Sequence, residues 1–272
     1  MSANAGVQGA PRTRGYRETV HILAQAQKGV APGAPAYSVL VNRRAGRYLA
    51  AAAFRAGLSP NAVSVVSAAF TFSAIAMLAF ASPSPWLGAV IWLALAVGYA
   101  FDSADGQVAR LRGGGSPAGE WLDHVMDSAK ITALHLAVLI CAYRTFGLED
   151  PAWLLVPIGY CLVAAVAFFT MILTEQLRTT HALRTGSSQP RTPGTRLKSL
   201  LLLPTDYGVF CFLFLFLGAP ALFMVLYTLF FAANLLHLAM ALGKWFRELG
   251  RLAPTAPGRP ATGAIAGGSH AG

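Results

Sequence analysis

A chain of 272 residues that is 55% hydrophobic and only 12% charged is too apolar for an ordinary soluble domain and too long for a single membrane span. Its formal net charge of +10 would suit a nucleic-acid binder, but the positive residues fall where a membrane surface would use them, so no nucleic-acid partner is expected. The three cysteines, Cys141, Cys161 and Cys211, lie inside apolar runs with no C-x-x-C spacing and read as buried thiols.

Residues 1–36 are polar, rich in Gly, Pro and Ala, and carry no apolar core of a cleavable signal peptide; they are expected to be a disordered N-terminal segment. Residues 37–58 (YSVLVNRRAGRYLAAAAFRAGL) place apolar side chains at helical spacing, interrupted by Arg43, Arg44, Arg47 and Arg55. Two readings stay open for this segment. It is an amphipathic helix lying on an anionic membrane surface, or a short helix packed on the bundle with its arginines solvated. Ser59-Pro60 then marks a helix start, with Ser59 as N-cap and Pro60 in the first turn.

Six apolar stretches follow, at about 61–81, 86–110, 119–143, 152–176, 199–217 and 220–242, each near the roughly 20 residues that a bilayer requires. The expected architecture is therefore all-α: a polytopic membrane protein whose domain 59–245 holds six transmembrane helices, preceded by an amphipathic juxtamembrane helix. The tail, 246–272, is expected to be disordered. Of the 21 positive residues, eight lie before the first span, two between spans two and three, five between spans four and five, and four after the sixth. By the positive-inside rule both termini face the cytoplasm of a multi-pass cell-membrane protein. Arginine outnumbers lysine 17 to four, in keeping with a GC-rich bacterial genome.

The second and third spans meet in DSADGQVARLRGGGSPAGEWLDHVMD, Asp102 to Asp127, where five of the chain's 11 acidic residues sit, four of them aspartates. Asp102 and Asp105 are spaced i, i+3; Asp123 and Asp127 are spaced i, i+4; each pair shares a helix face. In an antiparallel hairpin turning at Gly113-Gly114-Gly115, both cross-pairs centre on Gly114, so the carboxylates are expected to meet at two matched levels. Such a cluster is strongly repulsive unless cations fill it, and an all-oxygen donor set selects hard ions, Mg²⁺ or Mn²⁺, one or two of them. Residues alone take the reading as far as metal-dependent chemistry on a phosphate-bearing, lipidic substrate.

The pattern D-x2-D-G-x2-A-R-x8-G-x3-D-x3-D, here Asp102, Asp105, Gly106, Ala109, Arg110, Gly119, Asp123 and Asp127, resembles the signature of the CDP-alcohol phosphotransferase family without deviation in residue or spacing. The resemblance implies an enzyme, working as a homodimer, that binds a CDP-linked donor, transfers its phospho-alcohol to a hydroxyl acceptor and releases CMP. It implies that Asp102, Asp105 and Asp123 ligate two metal ions, and that Asp127 both touches a metal and acts as the catalytic base. Gly106 and Ala109 would let the nucleotide approach the helix, Arg110 would contact phosphate, and Gly119 would open space at the start of the third span.

Donor class stays open at this stage. GEWLDHVMDS resembles the eukaryotic choline and ethanolamine phosphotransferases, which use a CDP-headgroup and diacylglycerol. The LSPNAVSVVS lead-in to span one is similar instead to bacterial members that use CDP-diacylglycerol and a polar acceptor, and this reading is preferred. Glu175 and Asp206 stand where an inositol-phosphate acceptor would call for positive charge. His124 is a candidate proton-transfer partner, whereas His135 and His237 read as bundle histidines. A divalent-cation transporter would also gather carboxylates in a helical bundle, but would not require Gly106, Ala109, Arg110 and Gly119 at fixed offsets.

Overall fold

The computed structural model describes residues 15–26, 35–186 and 203–252. Every regular element among them is helical. Helix α1 (Tyr16–Gln25) lies within the segment expected to lack order. A π-turn (Ser38–Asn42) leads into α2 (Arg43–Arg55), and then come α3 (Pro60–Phe80), α4 (Pro85–Leu111), α5 (Pro117–Thr145) and α6 (Leu155–Thr185). Helix α7 (Tyr207–Cys211) runs on as a 3₁₀ turn (Phe212–Phe216), and α8 spans Pro220–Gly250.

Among the described residues, five helices are long and apolar enough to cross a membrane: α3, α4, α5, α6 with the 3₁₀ turn before it, and α8. The stretch expected as a fifth span, 199–217, differs. Its first residues lie outside the described ones, and the rest is a shorter apolar helix, Tyr207–Phe216. Pro204 and the Asp206 cap divide it from what precedes, and Gly218, Ala219 and Pro220 end it, so only about three turns remain.

The same start signal opens three successive spans. Ser59, Ser84 and Ser116 each accept a hydrogen bond from the N–H three residues on (Ala62, Leu87 and Gly119), and each is followed by proline. The α4–α5 turn needs glycine: Gly113 and Gly114 have φ of +98° and +129°, a region that side chains disfavour.

Helices α3 and α4 approach closely at Gly98, where an added Cβ would lie 2.4 Å from Thr71 Oγ1 and 3.1 Å from the Ser67 carbonyl oxygen. Helix α2 crosses α4 in the same manner at Gly46, whose absent Cβ would meet the Ser103 side chain at 2.9 Å. Ala50, Ala51, Ala53 and Phe54 of α2 are buried with Val63, Ala104, Val108 and Leu111. Helix α2 is therefore docked on the bundle, while Leu40, Val41 and Tyr48 remain exposed around it. Arg112 secures its end, donating to the carbonyls of Gly57 (2.9 Å) and Leu58 (2.7 Å).

A second core lies deeper, where α3, α4, α5, α6, α7 and α8 meet around Leu78, Leu95, Leu134, Tyr160, Phe214 and Tyr227. Helix α3 packs along both α4 and α5 and holds their motif-bearing ends close to one another.

Candidate metal and donor site

The last turns of α4 and the first turns of α5 carry the whole motif. Asp102, Asp123 and Asp127 can each point one oxygen into a common space, with those atoms within 4.8 Å of one another. The α4–α5 hairpin expected from the triple glycine accounts for this meeting. Asp105 does not join the three. It is buried, and its carboxylate accepts from Ser64 Oγ of α3 at 2.5 Å and from the Gly106 N–H. Both aspartates lie against α3, Asp105 at Ser64 and Asp102 at Ser67 (3.5 Å), but only Asp102 is also held by α5, through Lys130.

Sequence reasoning left Lys130 without a role. Its ammonium donates to Asp102 Oδ1 at 2.6 Å, to Asp127 Oδ1 at 3.2 Å and to Ser67 Oγ at 3.2 Å. The signal was present: Lys130 is one turn beyond Asp127 on the same face, and it is the one lysine inside the apolar stretches. The Ser67 hydroxyl in turn donates a hydrogen bond to the Gly98 carbonyl oxygen (2.9 Å), at the close approach of α3 and α4.

The residues expected to hold the donor behave unequally. Gly106 is exposed, and a Cβ there would meet nothing nearer than Arg110 Nη1 at 3.8 Å, leaving α4 open to a flat or charged group. Ala109 and Arg110 are half-buried, and Arg110 Nε lies buried without a hydrogen-bond partner. Gly119 is not an opening. Its absent Cβ would sit 3.2 Å from Ser116 Oγ and 3.3 Å from Asn61 Oδ1, so glycine there lets α5 start against α3. His124 stands 3.9 Å from Glu120 and edge-on to Phe168, and no described bond joins it to the aspartates.

Asp206, which sequence reasoning set against an inositol-phosphate acceptor, is fully buried. It accepts from the N–H groups of Gly208 (3.0 Å), Tyr37 (2.8 Å) and Ser38 (3.3 Å), capping α7 and tying the lead-in of α2 to it. Its charge is consumed locally. Glu175 is exposed on α6.

The donor set fits a hard divalent ion. Metal–oxygen bonds of about 2.1 Å hold opposite ligands about 4.2 Å apart, so oxygens spread over at most 4.8 Å need only a small side-chain adjustment. Three carboxylates against one ammonium leave a charge that a divalent cation balances.

An acidic cluster that could hold a divalent cation, carried by helices of membrane-crossing length, points to a multi-pass membrane protein. Residues 57–245, more than half of the chain, match the CDP-alcohol phosphatidyltransferase family, and the chain belongs to that family of transferases. A phosphatidylinositol phosphate synthase of Corynebacterium glutamicum is 34% identical over 110 residues, 40% of this chain and 47% of that protein. The chain thus aligns with about half the length of this curated relative. Among solved structures, a Mycobacterium tuberculosis phosphatidylinositol phosphate synthase in complex with manganese and citrate gives a TM-score of 0.46 at 22% identity, covering 78% of this chain and 95% of that one. The M. tuberculosis synthase with CDP-DAG bound gives 0.45 at 21% identity, covering 76% and 94%.

Proposed function

We propose that this protein transfers a phosphatidyl group from CDP-diacylglycerol to the hydroxyl of a small polar acceptor, releasing CMP at the cytoplasmic face of the membrane. The observation that carries this reading is the Asp102/Asp123/Asp127 cluster at the centre of an unbroken family motif. The homodimer implied by the resemblance is retained as part of the proposal.

Asp102, Asp123 and Asp127 would hold Mg²⁺ or Mn²⁺, with Asp105 kept as the further ligand of a two-ion site. Ions held there would supply positive charge to neutralise a pyrophosphate and so favour displacement at phosphorus. The remaining work falls to the chain's own groups. The bare surface at Gly106 lets the nucleotide lie against α4. Arg110, whose Nε lacks a partner, offers charge-assisted bonds to a phosphate. The acceptor oxygen attacks the phosphorus bearing diacylglycerol, the bond to the CMP oxygen breaks, and the acceptor's proton passes to the Asp127 carboxylate.

The Corynebacterium relative is named for phosphatidylinositol phosphate, and Asp206 is spent as a helix cap, so inositol phosphate belongs on the acceptor panel. The test is CMP release by purified full-length protein with Mg²⁺. CDP-diacylglycerol with a polar alcohol is expected to outperform CDP-choline or CDP-ethanolamine with diacylglycerol. The reverse order would hand the donor role to the CDP-headgroup, and full turnover in EDTA would sink the metal assignment.

A further inference from the structure

Lys130 is buried in α5, within a helix of membrane-crossing length, where an unpaired ammonium is expensive. An ammonium has three protons to donate, and all three are placed: on Asp102, on Asp127 and on Ser67. Two of the acceptors belong to the three-carboxylate cluster. The third, Ser67, is itself anchored to the Gly98 carbonyl oxygen. This is a complete hydrogen-bonded seat, reaching α3, α4 and α5, and a topology-setting surface lysine has no need of one.

We propose that Lys130 is a resident counter-cation of the carboxylate cluster, holding Asp102 and Asp127 together when no metal is bound and competing with a divalent ion for them. The proposal rests on the metal reading above and deepens it. Without a cation, neighbouring carboxylates on α4 and α5 repel, and the two helix ends part. With Lys130 in place, one positive charge satisfies Asp102 and Asp127 at once. A divalent ion using the same carboxylates meets a like charge beside them, so the ammonium must yield part of its seat. Lys130 is thus a positioning residue: it keeps the empty site assembled and lowers its affinity for metal.

The test uses full-length protein in detergent, with Mn²⁺ as the probe, bound ion read by electron paramagnetic resonance and unfolding followed thermally. Wild type should bind Mn²⁺ and remain folded in EDTA. Lys130→Met should bind Mn²⁺ at least tenfold more tightly, melt earlier than wild type in EDTA, and recover its stability on adding Mn²⁺. Lys130→Arg keeps the charge and should match wild type in EDTA. Unchanged or weaker Mn²⁺ binding by Lys130→Met overturns the proposal. So does a Lys130→Met protein that fails to fold even when prepared in Mn²⁺, since that would make the lysine a general packing element. Absence of Mn²⁺ binding by wild type is a separate outcome, because it removes the metal reading on which the proposal stands.

Discussion

Around Lys130, three carboxylates face one ammonium, and the sum is negative. A short way along the same helix, around His135, the groups that meet are an imidazole, two phenols and an amide. His135 Nδ1 lies 2.7 Å from the Tyr227 hydroxyl, the His135 ring stacks on Tyr160 at 4.1 Å, and the Tyr160 hydroxyl accepts from Asn234 at 2.9 Å. Asn234 also donates to the carbonyls of Pro204 and Phe230, both at 2.9 Å. Both regions are polar networks within helices of membrane-crossing length, yet only the second is complete in itself. It joins α5, α6 and α8 and satisfies backbone near the interrupted α7 stretch, which is a packing task. The first carries a net negative charge that its own groups do not balance, which is the deficit the proposed metal site would fill.

The comparison breaks most sharply at the aspartates. Asp127→Asn keeps shape but removes the proposed base, and transfer should fall by about 10²–10⁴-fold, with donor affinity largely kept. Asp102→Asn should weaken metal and donor binding together, because Asp102 belongs to the cluster and to the Lys130 seat. Turnover measured beside nucleotide binding separates the two. If Asp127→Asn loses donor binding as badly as Asp102→Asn, Asp127 is chiefly a ligand, and His124 becomes the next candidate for the base.

A smaller effect is expected from Gly98→Ala. The new methyl would press on Thr71 Oγ1 and on the backbone of Ser67, so α3 must shift away from α4. A stability loss of about 1–3 kcal/mol is expected for such overpacking. Mn²⁺ affinity should change as well, because Ser67 anchors Lys130. A variant that melts early yet binds Mn²⁺ as wild type does would uncouple the helix contact from the site.

Much of this contrast was legible in the sequence. The aspartate spacings, the triple glycine and the Ser59-Pro60 start placed the motif on two adjacent helices, and they meet as the α4–α5 turn requires. Three features were not legible. Asp105 turns toward Ser64 because α3 is wedged beside α4, a packing relation that no local spacing encodes. Asp206 looked like a charge facing substrate, but it is a buried cap whose partners Tyr37 and Ser38 lie far away in the chain. The 199–217 stretch has the composition of a span, yet composition did not reveal how Pro204 and Asp206 shorten its helix. Lys130 could have been found from its spacing to Asp127, but its hold on Asp102 required the fold.

The smallest effect is expected in the neutral network, and it tests whether completeness means indifference to metal. Tyr227→Phe removes one hydroxyl and leaves His135 Nδ1 without its partner, while the ring stacking on Tyr160 stays. Hydrogen bonds between membrane helices are worth about 0.6 kcal/mol on average, because the unfolded chain in a bilayer or micelle also finds partners. A stranded buried group pushes the cost upward, so a loss of about 1 kcal/mol is expected. The variant should therefore melt slightly earlier than wild type, by the same amount in EDTA and in saturating Mn²⁺, with transfer activity near wild type. If the shift depended on Mn²⁺, the two networks would be coupled through α5, and the division drawn between a closed packing network and an open site would fail.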